Sequence, residues 1–170
     1  MAAGVTLRRV EFFDRFRRKH GASPHAPVVR TAVLQDKVSW SQPFHWGLLL
    51  AFDNDGDWEL PGGLREGEVS ASGTCLAAPV LHAQDVEVDE TDDPDALLPE
   101  ALVEVLVVHG VLTDPADFVG VLECPSGQLQ VGDADEYRII QVPEGDLDVE
   151  VRLEPKEHAE RVVIALHSRG

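Results

Sequence analysis

GQLQVGDADEYRIIQVPEGDLDVEVRL, Gly127 to Leu153, is the stretch whose reading decides the fold. Its last seven residues, Leu147-Asp148-Val149-Glu150-Val151-Arg152-Leu153, alternate apolar and charged side chains without a fault. Successive side chains of a β-strand point to opposite faces, so this alternation predicts a strand with one face on a core and the other in water. Just before it, Pro143-Glu144-Gly145-Asp146 joins a residue with fixed φ to one free to take φ > 0, and reads as a hairpin connection with a bulge.

Working outward, further short strands are expected at Val28–Leu34, Trp46–Phe52, Glu68–Leu76, Val103–Val108, Phe118–Leu122 and Arg161–Leu166. Val80 to Val88 continues the β character past Pro79, which restricts where in a sheet it can lie. Between Leu34 and Trp46 the sequence reads as a loop holding Trp40, Pro43, Phe44 and His45. About nine short strands, punctuated by Gly and Pro, predict a mainly β chain folded as an antiparallel two-sheet β-sandwich.

One helix is expected in front of it. From Thr6 to His20, Leu7, Val10 and Phe13, with Phe12 and Phe16, gather toward one side at spacings near three, with Arg8, Arg9, Arg15, Arg17, Arg18 and Lys19 elsewhere on the surface. Thr6 suits the N-cap and Gly21 the left-handed stop. Gly21–Pro27 is a linker by composition. The chain thus divides into a basic helix and linker, 1–27, and an acidic sandwich domain, 28–170.

Charge separates these parts. The whole chain carries −17. Residues 1–37 hold eight basic and three acidic side chains, a net of +5, so the remainder carries −22. Residues 85–100 alone contain eight acids and no base. A body this acidic repels nucleic acid and anionic lipid and attracts basic proteins. Nucleic-acid contact is therefore expected only through the N-terminal helix. Apolar runs such as Leu48–Phe52 fall far short of the ~18 residues of a membrane span. Cys75 and Cys124 sit in apolar runs and read as buried thiols of a cytosolic protein.

No motif for chemistry is intact. Asp53, Asp55 and Asp57 imitate the first ligands of a calcium loop, but Trp58 and Leu64 stand where its glycine and glutamate belong, leaving a turn. The seven histidines show no zinc spacing, and no metal or cofactor is expected. Trp58-Glu59-Leu60-Pro61-Gly62-Gly63 with Glu68 resembles the opening of a Nudix hydrolase box. The carboxylates that such a helix needs for magnesium are replaced by Leu76-Ala77 and Val80-Leu81, so the segment reads as a turn between strands, with a degenerate Nudix-like hydrolase as an alternative.

Pro125-Ser126-Gly127-Gln128-Leu129-Gln130-Val131-Gly132-Asp133, Val142-Pro143-Glu144-Gly145 and Leu147–Leu153 resemble a feature of competence protein J-like β-sandwich proteins. The resemblance implies a non-enzymatic protein that holds a partner nuclease inactive. The acidity agrees, since carboxylates can occupy a basic groove where phosphates would lie. The expectation is a protein-binding module of inhibitor or immunity type. Its contact residues are Asp85, Glu87, Asp89, Glu90, Asp92, Asp93 and Asp95. The alternative contact is the N-terminal helix, through Arg8, Arg9, Phe12, Phe13, Phe16 and Arg17, docking the protein into a larger assembly.

Overall fold

A computed structural model describes residues 26–86 and 99–170. The expected helix at Thr6–His20 lies outside them. Eleven strands run in chain order: β1 (Val28–Val33), β2 (Lys37–Gln42), β3 (Leu48–Asp53), β4 (Ser70–Ala71), β5 (Cys75–Pro79), β6 (Val103–His109), β7 (Phe118–Cys124), β8 (Gln128–Gly132), β9 (Glu136–Gln141), β10 (Gly145–Glu154) and β11 (Arg161–Ser168). They form two sheets, ordered β1-β9-β8-β3-β5-β4 and β2-β6-β11-β10-β7.

The strand at Leu147–Leu153 stands as expected. β10 buries Leu147, Val149, Val151 and Leu153 and half-exposes the residues between them. It is hydrogen-bonded on both sides, to β11 and to β7. Its buried face meets Leu129, Val131 and Ile140 of the other sheet in one core between the layers. β3 and β5 are nearly all buried because both their faces are covered. Their outer face carries a second core, in which Phe52 stacks on Trp58 at 4.5 Å between ring centres and Leu60 and Leu64 pack alongside.

Four expectations need correction. The sheets are mixed, because β1 runs parallel to β9 and β6 parallel to β11. Each parallel pair joins strands distant in sequence, so no short turn dictates their direction. Second, Pro143–Asp146 is not a hairpin: β9 lies in the six-stranded sheet and β10 in the five-stranded one, so this turn carries the chain across the sandwich. The hairpin in that stretch is β8–β9, turning at Asp133–Asp135. Third, the expected loop before Trp46 contains β2, whose Val38, Trp40 and Gln42 point inward between the outward Lys37, Ser39 and Ser41. Fourth, Val80–Val86 is not a strand. Past Pro79 the chain is held instead by single backbone bonds, Val80 N–H to Gly47, Leu81 N–H to Ala159 and Ala83 N–H to Phe44.

The two ends of the sandwich differ. At one, the N–H of Glu123 in β7 donates to the carbonyl of Gly73 beside β5, which links the sheets. At the other, β1 and β2 are the edge strands of opposite sheets, joined through Leu34–Asp36, where the Leu34 N–H donates to the Gln141 carbonyl of one sheet and the Asp36 carbonyl accepts from the His109 N–H of the other.

Candidate functional site

The acidic segment leaves the described body at Val86 and returns at Pro99. Of the contact residues expected in it, only Asp85 is described: it is exposed, and its N–H donates to the His82 carbonyl. Glu87, Asp89, Glu90, Asp92, Asp93 and Asp95 lie outside the described residues, as do Arg8, Arg9, Phe12, Phe13, Phe16 and Arg17. What the structure adds is the base of that segment. The Ala101 N–H donates to the Ala83 carbonyl at 2.8 Å, which ties the two ends together, and Ala83 is itself bonded to Phe44.

Beside that tie stands a titratable cluster that the sequence did not announce. It is built from the β2–β3 loop, the β8–β9 turn and Glu100. His45 Nε2 lies 2.7 Å from Glu100 Oε1, and His45 Nδ1 4.0 Å from Asp135 Oδ2. The His45 backbone N–H donates to Asp133 Oδ2 at 3.2 Å, and the Trp46 indole N–H to Asp135 Oδ2 at 3.0 Å. Asp133 organises its own turn: its Oδ1 accepts the N–H groups of Asp135 and Glu136, both at 2.9 Å. The preceding Gly132 adopts φ +147°, and a Cβ there would stand 2.6 Å from Tyr137 Cα, so only glycine fits.

The electrostatics follow from depth. Burial pushes the Asp133 carboxyl up to about 6, against the N–H groups of Glu136 and Asp135 and with help from the Asp135 charge. Burial pulls His45 down, but the hydrogen bond and charge of Glu100, with the charges of Asp133 and Asp135, outweigh it and leave His45 raised. The cluster therefore holds the returning end of the acidic segment by an ion pair that depends on pH. A signal for it was present in the Gly132-Asp133 pair between two β runs, a hairpin dipeptide. Its meeting with His45 and Glu100 depends on tertiary packing alone.

Other candidate chemistry resolves into structure. Asp53 is buried at the end of β3, where its Oδ1 accepts from Asp55 and Gly56 and its Oδ2 from Ser126, each at 2.8 Å. The Asp53–Asp57 segment is thus a side-chain-capped turn that also ties down the β7–β8 crossing. Among the described residues no group of three or more His, Cys, Asp or Glu is arranged to hold a metal ion. The Nudix-like segment buries Trp58 and continues into β4 and β5, where that family's box would require a helix. Both cysteines are free and buried; burial pushes the Cys75 thiol up, and burial with the Asp53 charge pushes Cys124 up to about 12. Neither is set up as a nucleophile. A groove of about 320 Å³ on the outer face of the five-stranded sheet has Leu106, Val108 and Val163 among its walls. Its Arg152 and Arg161 are engaged by Asp114, Glu104 and Glu154.

No protein-family model matches the sequence, and no curated protein matches it. Two solved structures share its outline. ComJ from Bacillus subtilis, an inhibitor of the DNA-degrading activity of NucA, is 11% identical, with a TM-score of 0.44 over 78% of this chain and 98% of that one. The product of crocagin biosynthetic gene J is 13% identical, with a TM-score of 0.45 over 79% of this chain and 97% of that one. Likeness this distant carries nothing about activity. Among the described residues no helix is long and apolar enough to cross a membrane.

Proposed function

We propose that the protein acts by contact rather than by turnover, binding a basic partner protein through the acidic segment at 85–100. The observation that supports this is the tie between Ala83 and Ala101 with the His45–Glu100 pair beside it. Together they fix both ends of a run of eight carboxylates and no base on a folded base. Fixing the ends lowers the conformational freedom that binding must remove. A partner with a basic nucleic-acid groove, such as a nuclease, fits this charge, and inhibition is the action that such occupancy would have.

The test is affinity capture at low ionic strength with two versions of the full chain. One is wild type; the other carries Asp89→Asn, Glu90→Gln, Asp92→Asn, Asp93→Asn and Asp95→Asn. The wild type is expected to retain a basic protein that salt releases steeply, since exposed charges are screened beyond ~8 Å at physiological ionic strength. The neutralised chain is expected to lose it. Equal retention by both, or none by either, overturns the reading. The charge separation between residues 1–37 and the rest supports one second reading, contact through Arg8, Arg9, Phe12, Phe13, Phe16 and Arg17. Deleting residues 1–21 separates the two, because only that second reading predicts loss of the partner on deletion.

A further inference from the structure

We propose that Arg30 and Arg138, at the β1–β2 end of the sandwich, form a binding site for an oxyanion, the carboxylate or phosphate group of a ligand from solution. The two residues are register partners in the parallel β1–β9 ladder. Partners across a ladder share a face, here the inner one, since Ile140 two residues on from Arg138 lies in the core between the sheets. Like charges placed side by side on a sheet destabilise it. Burial and the neighbouring Arg30 both hold the Arg138 guanidinium below its ordinary value, while Glu136 acts the other way.

No carboxylate among the described residues lies within ion-pair distance of either arginine. From residue 38 onward there are 28 acids against six bases. Arg152, Arg161 and Arg169 each have a carboxylate within 4.0 Å. Among the described residues Arg30 and Arg138 have none within that distance. Arg138 Nε is buried and among those residues finds no acceptor; Arg152 and Arg161 share that feature of Nε but have carboxylates at their guanidinium groups. A buried donor atom left without a partner is costly, and a fold with this surplus of carboxylates had ample means to supply one.

The arrangement is also held in place. Arg138 Cζ lies 4.9 Å from the ring centre of Trp40, reached across the gap from the other sheet. The Trp40 indole N–H donates to Gln42 Oε1 at 2.7 Å, and Gln42 Nε2 donates to the Glu136 carbonyl at 2.8 Å. Trp40 and Gln42 are buried, so the surface beneath Arg138 is fixed from behind, while Arg30 beside it is exposed. Two arginines side by side on neighbouring strands, one with its guanidinium over an aromatic ring, suit the paired oxygens of carboxylate or phosphate. Breaking local rules of charge and satisfaction at one spot is what a functional site does.

The experiment titrates the full chain with inorganic phosphate and, separately, with N-acetyl-aspartate, at constant ionic strength set with chloride. The arginine Nε–Hε NMR signals and Trp fluorescence are followed. Saturable one-to-one binding with shifts at Arg30 and Arg138 is expected for at least one probe, and the tighter of the two identifies the oxyanion class. Arg30→Gln is expected to weaken it at least ~10-fold, in line with loss of one charge-assisted bond. Arg65→Gln, at an exposed position elsewhere, is expected to leave it unchanged. Arg138→Lys keeps the charge but removes the planar fork, and is expected to weaken binding as well. If neither probe saturates, or if Arg30→Gln binds as wild type does, the site is overturned. Arg30 is exposed on an edge strand, so that variant folds whether or not Arg138 tolerates change.

Discussion

Asp133 is a buried carboxyl that the fold needs as a turn former and penalises as a charge. Its folded value of about 6 lies above its ordinary 3.8. Between those two values the folded protein holds a proton that the unfolded chain has lost, so the stability it lends is full below about pH 4 and drains as pH rises to about 6. The amount is on the order of 3 kcal/mol, taking 1.36 kcal/mol per unit. His45 acts with the same sign: its raised value lends stability below 6.5 that is lost as pH rises through the folded value. Urea unfolding from pH 4 to 8 should show stability falling with pH, with Asp133→Asn flattening the lower part of the profile and His45→Gln the upper part. A profile that Asp133→Asn leaves unchanged contradicts the assignment. At the preceding position, Gly132→Ala should cost about 3 kcal/mol or more, because the methyl meets Tyr137 and the backbone cannot keep φ +147°. Thermal unfolding reads that loss directly. Residues such as Asp133 and Arg138 were beyond the reach of sequence reading because their character comes from neighbours that tertiary structure supplies.

At the scale of elements, β10 was legible because each of its residues obeys one period and both its neighbours keep that period intact. Leu147→Ala, on its buried face, should cost about 3 kcal/mol through lost transfer energy and a residual cavity. Asp148→Ala, on the opposite face, pairs with partly exposed His167 and Arg169 and should stay within about 0.5 kcal/mol. Urea midpoints of the two variants compare them directly. β2 was hidden because its outward serines carry little β preference, one of its inward positions is the polar Gln42, and Pro43 follows at once. The parallel pairings were hidden for a different reason. Alternation tells which face a residue takes but not which distant strand lies beside it, so the Arg30–Arg138 register could not be read from either segment alone.

For the whole molecule, the charge was fully legible and its presentation was not. Composition showed where the acids lie in the chain, whereas the tie between Ala83 and Ala101, on either side of them, is made by tertiary structure. Removing residues 1–21 is expected to leave the sandwich folded, since among the described residues the core between the sheets is built from residues after Val33. Circular dichroism and a retained urea midpoint would verify it.

The strand order also governs what a cut would do. Residues up to 86 supply β1–β5 and residues from 99 onward β6–β11, yet the ladders β1–β9, β3–β8 and β2–β6 each take one strand from either side. A protease that severs the chain anywhere within 87–98 should yield two fragments that still elute as a single particle. They should come apart only in denaturant, so the two pieces, expressed separately, offer a route to a self-reassembling split protein.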